Sequence, residues 1–101
     1  KVIDIIKSLN EFMIQPIIVD PWAETADALR EYGVELTELD ELEDVDCIII
    51  AVAHNEFKKY KISEMKKLYR KSKDTEKVLI DVKGIYDIDT LRNSGLNWWR
   101  L

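Results

Sequence analysis

The chain has 101 residues, of which 47% are hydrophobic and 35% are charged, so it can form a single small globular domain with a modest core. Its 20 acidic and 15 basic residues give a net charge of −5. This charge argues against binding to nucleic acid or to a membrane surface, since both require a basic protein surface. The single cysteine, Cys47, excludes a disulfide framework and a zinc site built on cysteines.

The first half of the chain predicts short helices that alternate with short strands. An amphipathic helix is expected at about residues 2–13, because Val2, Ile6, Leu9 and Met13 would share one face. The elements that follow are a strand at 14–20, a turn at 20–23, a helix at about 23–32 that stops at Gly33, a strand at 34–36, and a helix over 38–43 capped by Thr37. Because the chain begins inside a helical pattern without a cap, we expect it to be a fragment of a longer protein.

The second half contains the two most apolar segments, 47–53 and 77–82. Both are predicted to be strands covered on both faces, with Cys47 as a small buried hydrophobe. The remaining elements are a helix at about 63–72 with Ile62, Met65, Leu68 and Tyr69 on its apolar side, a polar loop at 73–76, a short helix near 88–93 that stops at Ser94-Gly95, and a last strand at 97–101. The alternation predicts an α/β fold, a Rossmann-like three-layer sandwich with a mostly parallel sheet.

Polar residues follow the predicted strands at their carboxyl ends, which is where open α/β sheets bind ligands. They are Asp20, then His54 and Asn55, and then Asp81, Lys83 and Gly84. A lysine beside a glycine suits a phosphate or carboxylate, because the glycine permits close approach and the ammonium supplies a point charge. A solvated lysine at a strand end is an equally good reading of Lys83. Asp81 is expected to cap or orient local backbone N–H groups.

His54 is the only histidine, and it is expected to make a local structural hydrogen bond or, alternatively, to contact a ligand. Asn55 is a candidate N-cap for a following helix. With no second histidine or cysteine partner, no metal site is expected. The sequence contains no GxGxxG, GxxxxGKS/T or GxSxG motif, and its three glycines cannot build a glycine-rich phosphate cradle. No signal peptide and no apolar run near the ~18 residues of a membrane span is present, so a cytoplasmic location is expected.

The motifs taken in order resemble one family. Behind the amphipathic helix they are Asp-Pro-Trp-Ala (20–23), Glu-Tyr-Gly-Val-Glu-Leu (31–36), Ala-Val-Ala-His-Asn-Glu-Phe (51–57), Ile-Asp-Val-Lys-Gly-Ile (80–85) and Trp-Trp-Arg-Leu (98–101). Over essentially the whole chain they resemble the C-terminal, UDP-binding domain of the UDP-glucose/GDP-mannose dehydrogenases. The resemblance is greatest to bacterial UDP-N-acetylhexosamine (UDP-GalNAc, UDP-ManNAc or UDP-GlcNAc) 6-dehydrogenases of capsule and O-antigen synthesis.

This resemblance implies a UDP-sugar-binding domain of an enzyme that oxidises the sugar C6 alcohol to a carboxylate with two NAD+. Such enzymes also have an NAD-binding Rossmann domain and a central helical dimerisation domain, so NAD would be bound mainly outside this chain. Their catalytic cysteine lies in a Gly-x-Cys-Phe motif that is absent here, and Cys47 does not match it. The fragment alone is therefore expected to be inactive.

The family's C-terminal domain normally starts with a strand that carries Phe-Lys and then Asp-x-Arg, and this piece is absent. We therefore expect a sheet that lacks its first strand, which invites edge pairing between copies and a homo-oligomer. Met13 stands where relatives often have a glycine that ends the helix. The alternative to a dehydrogenase domain is a stand-alone Rossmann-like ligand-sensing or protein-interaction module. A receiver-like domain is disfavoured because segment 47–53 ends in His54-Asn55 rather than an acidic cluster.

Residue by residue, the resemblance implies a role chiefly for Lys83. It matches the basic position that family members use near the phosphate or sugar of the substrate, and Gly84 would let that group approach closely. His54 and Asn55 lie in the loop that matches the one after the family's central strand, and they are further candidates for substrate contact. No residue of the chain is assigned to NAD or to catalysis.

Overall fold

A computed structural model describes residues 2–20 and 36–101 of the protein. The chain divides into two compact units, Lys1–Leu42 and Glu43–Leu101. Four predicted features lie outside the described residues: the turn at 20–23 beyond Asp20, the helix at 23–32, its stop at Gly33 and the start of the strand at 34–36. Within the described residues, no helix combines the length and the apolar composition needed to cross a membrane.

The first unit begins with helix α1, Val2–Glu11, which buries Ile6. The helix ends two residues earlier than predicted, and Met13 does not share its apolar face but is 95% exposed. Met13 has a left-handed backbone, with φ of 61°. The N–H of Ile14 donates to the carbonyl of Leu9 at 2.9 Å, and the N–H of Met13 donates to that of Asn10 at 2.9 Å. These two bonds form a Schellman motif, in which the left-handed position usually carries glycine.

The rest of the first unit contains less regular structure than predicted. The strand at 14–20 is reduced to one parallel bridge between Ile18 and Leu36. Thr37 does not cap a helix, because it continues this pairing and donates its N–H to the carbonyl of Ile18 at 2.9 Å. The predicted helix over 38–43 is a single 3-10 turn, Leu39–Glu41, preceded by an extended Glu38.

The second unit contains a parallel three-stranded sheet, which confirms the predicted Rossmann-like α/β arrangement. Its strands are β1 (Cys47–Ile50), β2 (Val78–Asp81) and β3 (Asn97–Arg100), in the spatial order β1-β2-β3. The register places Ile50, Asp81 and Arg100 side by side at the carboxyl end of the sheet. That alignment brings the chain segments that follow the three strands to one edge.

Three short helices connect these strands: α2 (Asn55–Lys58), α3 (Ile62–Lys66) and α4 (Ile88–Arg92). The prediction that α3 runs to residue 72 is wrong, because Tyr69 forms a parallel bridge with Val45 instead. The N–H of Val45 donates to the carbonyl of Leu68 at 3.1 Å, and the N–H of Arg70 donates to the carbonyl of Val45 at 2.9 Å. This main-chain pairing turns the chain out of the helix.

The core of the second unit lies against β2 and α4, where Leu79 and Leu91 are fully buried. The other buried apolar residues of this unit are Ile50, Met65, Leu68, Tyr69, Tyr86 and Leu96. The expectation that Cys47 is buried is wrong: it opens β1 and is exposed. The protein around the sulfur still desolvates it enough to raise the pKa of the thiol, which disfavours the nucleophilic thiolate.

The left-handed backbone of Met13 leads to a stability prediction. Met13→Gly should raise the free energy of unfolding by about 1 kcal/mol, because it removes the Cβ strain of this conformation and the exposed side chain contributes little packing. Urea denaturation of the full chain measures the change.

The matched control is Ser8→Gly, at an exposed position inside α1. At this position glycine should lower the free energy of unfolding by roughly 0.5 kcal/mol, because glycine has a low helix propensity. If both substitutions destabilise the protein, the C-terminal cap of α1 does not have the role assigned to it.

Candidate functional site

The candidate site is the carboxyl edge of the sheet in the second unit, where β1 and β2 lead into two polar loops. The main-chain ladder continues one residue past the strands: the N–H of Val82 donates to the carbonyl of Ile50 at 3.0 Å, and the N–H of Leu101 to that of Asp81 at 3.2 Å. Residues 51–54 then lead to α2, and residues 82–87 lead to α4. We call residues 82–87 the edge loop.

The carboxylate of Asp81 organises the edge loop. Asp81 is fully buried, its Oδ1 accepts from the N–H of Ile85 at 3.1 Å, and its Oδ2 accepts from the N–H of Tyr86 at 2.9 Å. This confirms the prediction that Asp81 orients local N–H groups. The two bonds pull the chain back over the end of β2 and hold Lys83 and Gly84 at the turn of the loop.

Gly84 is required at this turn for two reasons. Its φ is +66°, a left-handed conformation that side chains disfavour. A Cβ at this position would also lie 2.9 Å from Nη2 and 3.1 Å from Cζ of Arg100, so the guanidinium would have to move. Gly84 therefore allows a cation from β3 to rest directly against the backbone of the edge loop.

Lys83 is exposed beside this glycine. Ion pairs among the described residues join Lys66 and Lys77 to Asp74 and Arg70 to Asp46, and none includes Lys83 or Arg100. The Lys83 ammonium also makes no hydrogen bond to another described residue. The ammonium of Lys83, which the sequence analysis identified as a candidate, is therefore exposed, and no described residue neutralises its charge.

Tyr86 links the edge loop to both neighbouring segments, a connection that the sequence reasoning missed. Its hydroxyl donates to the carbonyl of Tyr60 at 2.5 Å, and its own carbonyl accepts from Nε of Arg100 at 3.0 Å. Burial, reinforced by the negative charge of Asp81, raises the pKa of the Tyr86 hydroxyl to about 12. The edge loop, the segment after α2 and the end of β3 are therefore bonded together.

His54 follows β1 and precedes a helix, as predicted, but the N-cap role predicted for Asn55 falls to His54. His54, not Asn55, precedes the first residue of α2 as its N-cap, and its carbonyl accepts from the N–H of Phe57 at 3.0 Å and of Lys58 at 3.1 Å. The imidazole packs edge-on against Phe57, with 5.3 Å between ring centroids. The Asn55 prediction is wrong because the chain enters the helix one residue earlier, and Asn55 is exposed in the first turn.

The structure brings some of the candidates together and leaves others apart. Lys83 and Gly84 share the edge loop, and His54 and Asn55 follow the adjacent strand at the same edge. Asp20 belongs to the other unit. Among the described residues, no group of three or more His, Cys, Asp or Glu residues could hold a metal ion.

A hollow of about 520 Å³ lies at the opposite, amino end of the sheet, lined by residues 45–46, 69–73 and Glu76. It is partly open to solvent, and its guanidinium, on Arg70, is paired with Asp46. Lys77 beside it donates to the carbonyl of Ser72 at 2.6 Å and pairs with Asp74 at 3.3 Å. Lys71 and Lys73 also line this hollow. Because parallel α/β sheets bind ligands at the other end, we place the functional site at the carboxyl edge.

These features define a Rossmann-like α/β domain with cationic side chains at the ligand-binding edge of its sheet. Residues 1–88 match the UDP binding domain of the UDP-glucose/GDP-mannose dehydrogenase family, and the chain belongs to that family. The matched residues include β1, β2 and the edge loop. Family membership favours the dehydrogenase interpretation of the sequence over a stand-alone ligand-sensing or protein-interaction module.

The chain is also similar to proteins from three bacteria, two of which are named as UDP-N-acetyl-D-glucosamine 6-dehydrogenases. The chain is 39% identical over 89 residues to a UDP-N-acetyl-D-glucosamine 6-dehydrogenase of Pseudomonas aeruginosa. This match covers 88% of the chain and 20% of that protein. It is 33% identical over 101 residues to Protein CapL of Staphylococcus aureus, covering 100% of this chain and 22% of CapL. A 58-residue match, 34% identical, joins 57% of the chain to 14% of a UDP-N-acetyl-D-glucosamine 6-dehydrogenase of Salmonella typhi. The chain thus spans about a fifth of the length of the first two relatives.

The role of Asp81 predicts that Asp81→Asn is strongly destabilising. An asparagine can accept only one of the two N–H bonds and turns its own NH2 toward the other, so the free energy of unfolding should fall by about 1–3 kcal/mol. Urea denaturation at pH 7 measures the loss. Asp87→Asn is the control: the exposed Asp87 caps α4 through Thr90, and asparagine caps helices equally well. Equal losses in both variants would show that Asp81 does not organise the loop.

The raised pKa of Tyr86 predicts a loss of stability in alkali. Its folded-state pKa of about 12 exceeds the ordinary value of 10.0, so the stabilisation is complete below pH 10 and disappears as the pH rises from 10 towards 12. Tyr86→Phe should lower stability at pH 7 by about 1 kcal/mol, because the bond to the Tyr60 carbonyl is lost. Between pH 10 and 12 its stability should fall less steeply than that of the wild type. Parallel curves of unfolding free energy against pH would contradict this assignment.

Proposed function

We propose that this chain is the C-terminal, UDP-sugar-binding domain of an NAD-dependent nucleotide-sugar 6-dehydrogenase. The enzyme would oxidise the C6 alcohol of a UDP-N-acetylhexosamine to a carboxylate for capsule or O-antigen polysaccharide, in the cytoplasm. The observation that carries the proposal is the exposed Lys83 ammonium at the carboxyl edge of the sheet, beside the left-handed Gly84, where no ion pair joins it to another described residue. The names of the relatives from Pseudomonas aeruginosa and Salmonella typhi support the reaction class.

Lys83 and Gly84 are assigned to the phosphate or sugar end of the substrate. An ammonium is a compact point charge that suits a phosphate oxygen, and a residue without a Cβ lets that oxygen approach the backbone. The protein as a whole carries a net charge of −5, so a polyanionic substrate needs local cations in order to bind. Lys83 supplies one at the edge where α/β domains receive ligands.

His54 and Asn55 are assigned to the part of the same ligand that extends toward β1. The strands β1 and β2 are adjacent, so a ligand held at the edge loop reaches the segment after β1 within a few ångströms, given the ~4.8 Å spacing between strands. The exposed amide of Asn55 can donate or accept hydrogen bonds, and the half-buried imidazole of His54 offers a polar edge.

Among the described residues, no glycine-rich turn suits the binding of NAD. The turn between β1 and α2, residues 51–54, contains no glycine, whereas a dinucleotide pyrophosphate requires a glycine-rich turn that opens a helix. Two glycines lie in the described residues, and the Arg100 side chain stands next to the Cβ position of Gly84 and the Asp74 side chain next to that of Gly95. NAD would therefore be bound by NAD-binding and central domains in the same polypeptide, which we also expect to form a homo-oligomer. The isolated chain is expected to be inactive.

The substrate role of Lys83 is tested by Lys83→Met in the full-length protein that carries this chain. Loss of a charge-assisted contact should weaken UDP binding about 10-fold or more, measured by titration calorimetry, and leave uridine binding unchanged. Lys71→Met is the matched control, because Lys71 is an exposed lysine at the opposite end of the sheet. Equal UDP affinity in both variants would remove Lys83 from the site.

The reaction is tested by NADH formation from NAD+ and each UDP-N-acetylhexosamine, with the same full-length protein. Two NADH should form per sugar oxidised, because an alcohol is carried to the level of a carboxylate. Absence of NADH with every UDP-N-acetylhexosamine would overturn the proposed activity.

A further inference from the structure

We propose that Arg100 is a second ligand-binding residue of this site, and that it holds the diphosphate of the nucleotide together with Lys83. The identity of the ligand rests on the proposed function, whereas the position and charge of Arg100 follow from the structure alone. Arg100 lies beyond residues 1–88, which match the family domain.

The register of the sheet places Arg100 at the site. It is the last residue of β3, and its Cα pairs with that of Asp81, two residues before Lys83. From there the side chain extends over the edge loop, so that its Nη2 would lie 2.9 Å from a Cβ on Gly84. A residue 17 positions from Lys83 in sequence is therefore brought to the same turn.

One hydrogen bond fixes the orientation of the guanidinium. Nε donates to the carbonyl of Tyr86 at 3.0 Å, and Tyr86 is itself bonded to Asp81 and Tyr60. A guanidinium has five N–H donors in a rigid planar fork, so this bond uses one of them and leaves the terminal N–H groups beside Gly84. Arg100 is thus anchored at Nε and open at its end.

No described carboxylate neutralises this end. Hydrogen bonding from Thr90, whose N–H donates to the carboxylate at 2.7 Å, lowers the pKa of the Asp87 carboxyl, and the charge of Arg100 lowers it further. Asp87 makes no ion pair with Arg100. Every described ion pair of the second unit lies on the amino side of β2. Lys83 and Arg100 therefore place two like charges around Gly84, an arrangement that an anion stabilises.

The two cations suit a diphosphate better than a single phosphate. A guanidinium binds phosphate oxygens in pairs, and a lysine adds a point charge that accepts a range of geometries. Gly84, which is only half-buried and carries no side chain, lies between the two cations. Loss of the Arg100 guanidinium should accordingly weaken the binding of UDP more than that of UMP, and it should leave uridine binding unchanged.

The test uses the full-length protein with Arg100→Met, Arg100→Lys and the control Arg92→Met, an exposed arginine in the last turn of α4. Calorimetric titrations with UDP, UMP and uridine are made at several salt concentrations, and thermal unfolding checks the fold. Arg100→Met should weaken UDP binding about 10- to 100-fold, weaken UMP binding less, leave uridine unchanged and reduce the salt dependence. Arg100→Lys, which keeps the charge and loses the fork, should fall between Arg100→Met and the wild type.

Each other outcome has a distinct meaning. If the wild type binds UDP and Arg100→Met binds it as tightly as Arg92→Met, the role of Arg100 is overturned and the proposed function stands. Equal weakening of UDP and uridine in both Arg100 variants shows that Arg100 only supports the Tyr86 carbonyl, which also overturns the inference. If the wild type binds neither UDP nor UMP, the proposed function and this inference fail together.

Discussion

The paired hydrogen bonds from Ile85 and Tyr86 to the carboxylate of Asp81 are the constraint on which the ligand edge depends. A fully buried carboxylate is costly unless its oxygens are satisfied, and here each oxygen accepts a main-chain N–H. Through these bonds the end of β2 determines the path of the edge loop. The left-handed Gly84, the outward Lys83 and the buried ring of Tyr86 all follow from that path.

The sheet of the second unit was largely predictable because its strands form in local apolar runs. Segments 47–53 and 77–82 both contain a strand, and the parallel arrangement follows from the helices between them. Helix lengths were less predictable, since they depend on distant partners. The apolar spacing of Met65, Leu68 and Tyr69 correctly indicated burial, but it could not show that Tyr69 pairs with Val45 and so ends the helix.

The candidate site was predictable only where its residues follow a strand directly. Asp81, Lys83 and Gly84 lie within four residues of each other, and their types indicate a turn and an anion. Arg100 and Tyr86 gave no such signal, because their significance arises from the register of β3 and from a hydrogen bond spanning 26 residues to Tyr60. The helix-ending position of Met13 was correctly suspected, but its left-handed backbone is a conformational fact that periodicity does not contain.

The bond between the hydroxyl of Tyr86 and the carbonyl of Tyr60 has a consequence for the entropy of binding. A loop that becomes ordered only when a ligand arrives loses conformational freedom at that moment, and affinity falls accordingly. The edge loop has no repeating main-chain pattern, yet it is tied to β2, to β3 and to the segment after α2. The conformational entropy of this loop is thus lost during folding, so a ligand that binds there, as proposed, would meet a backbone that is already ordered.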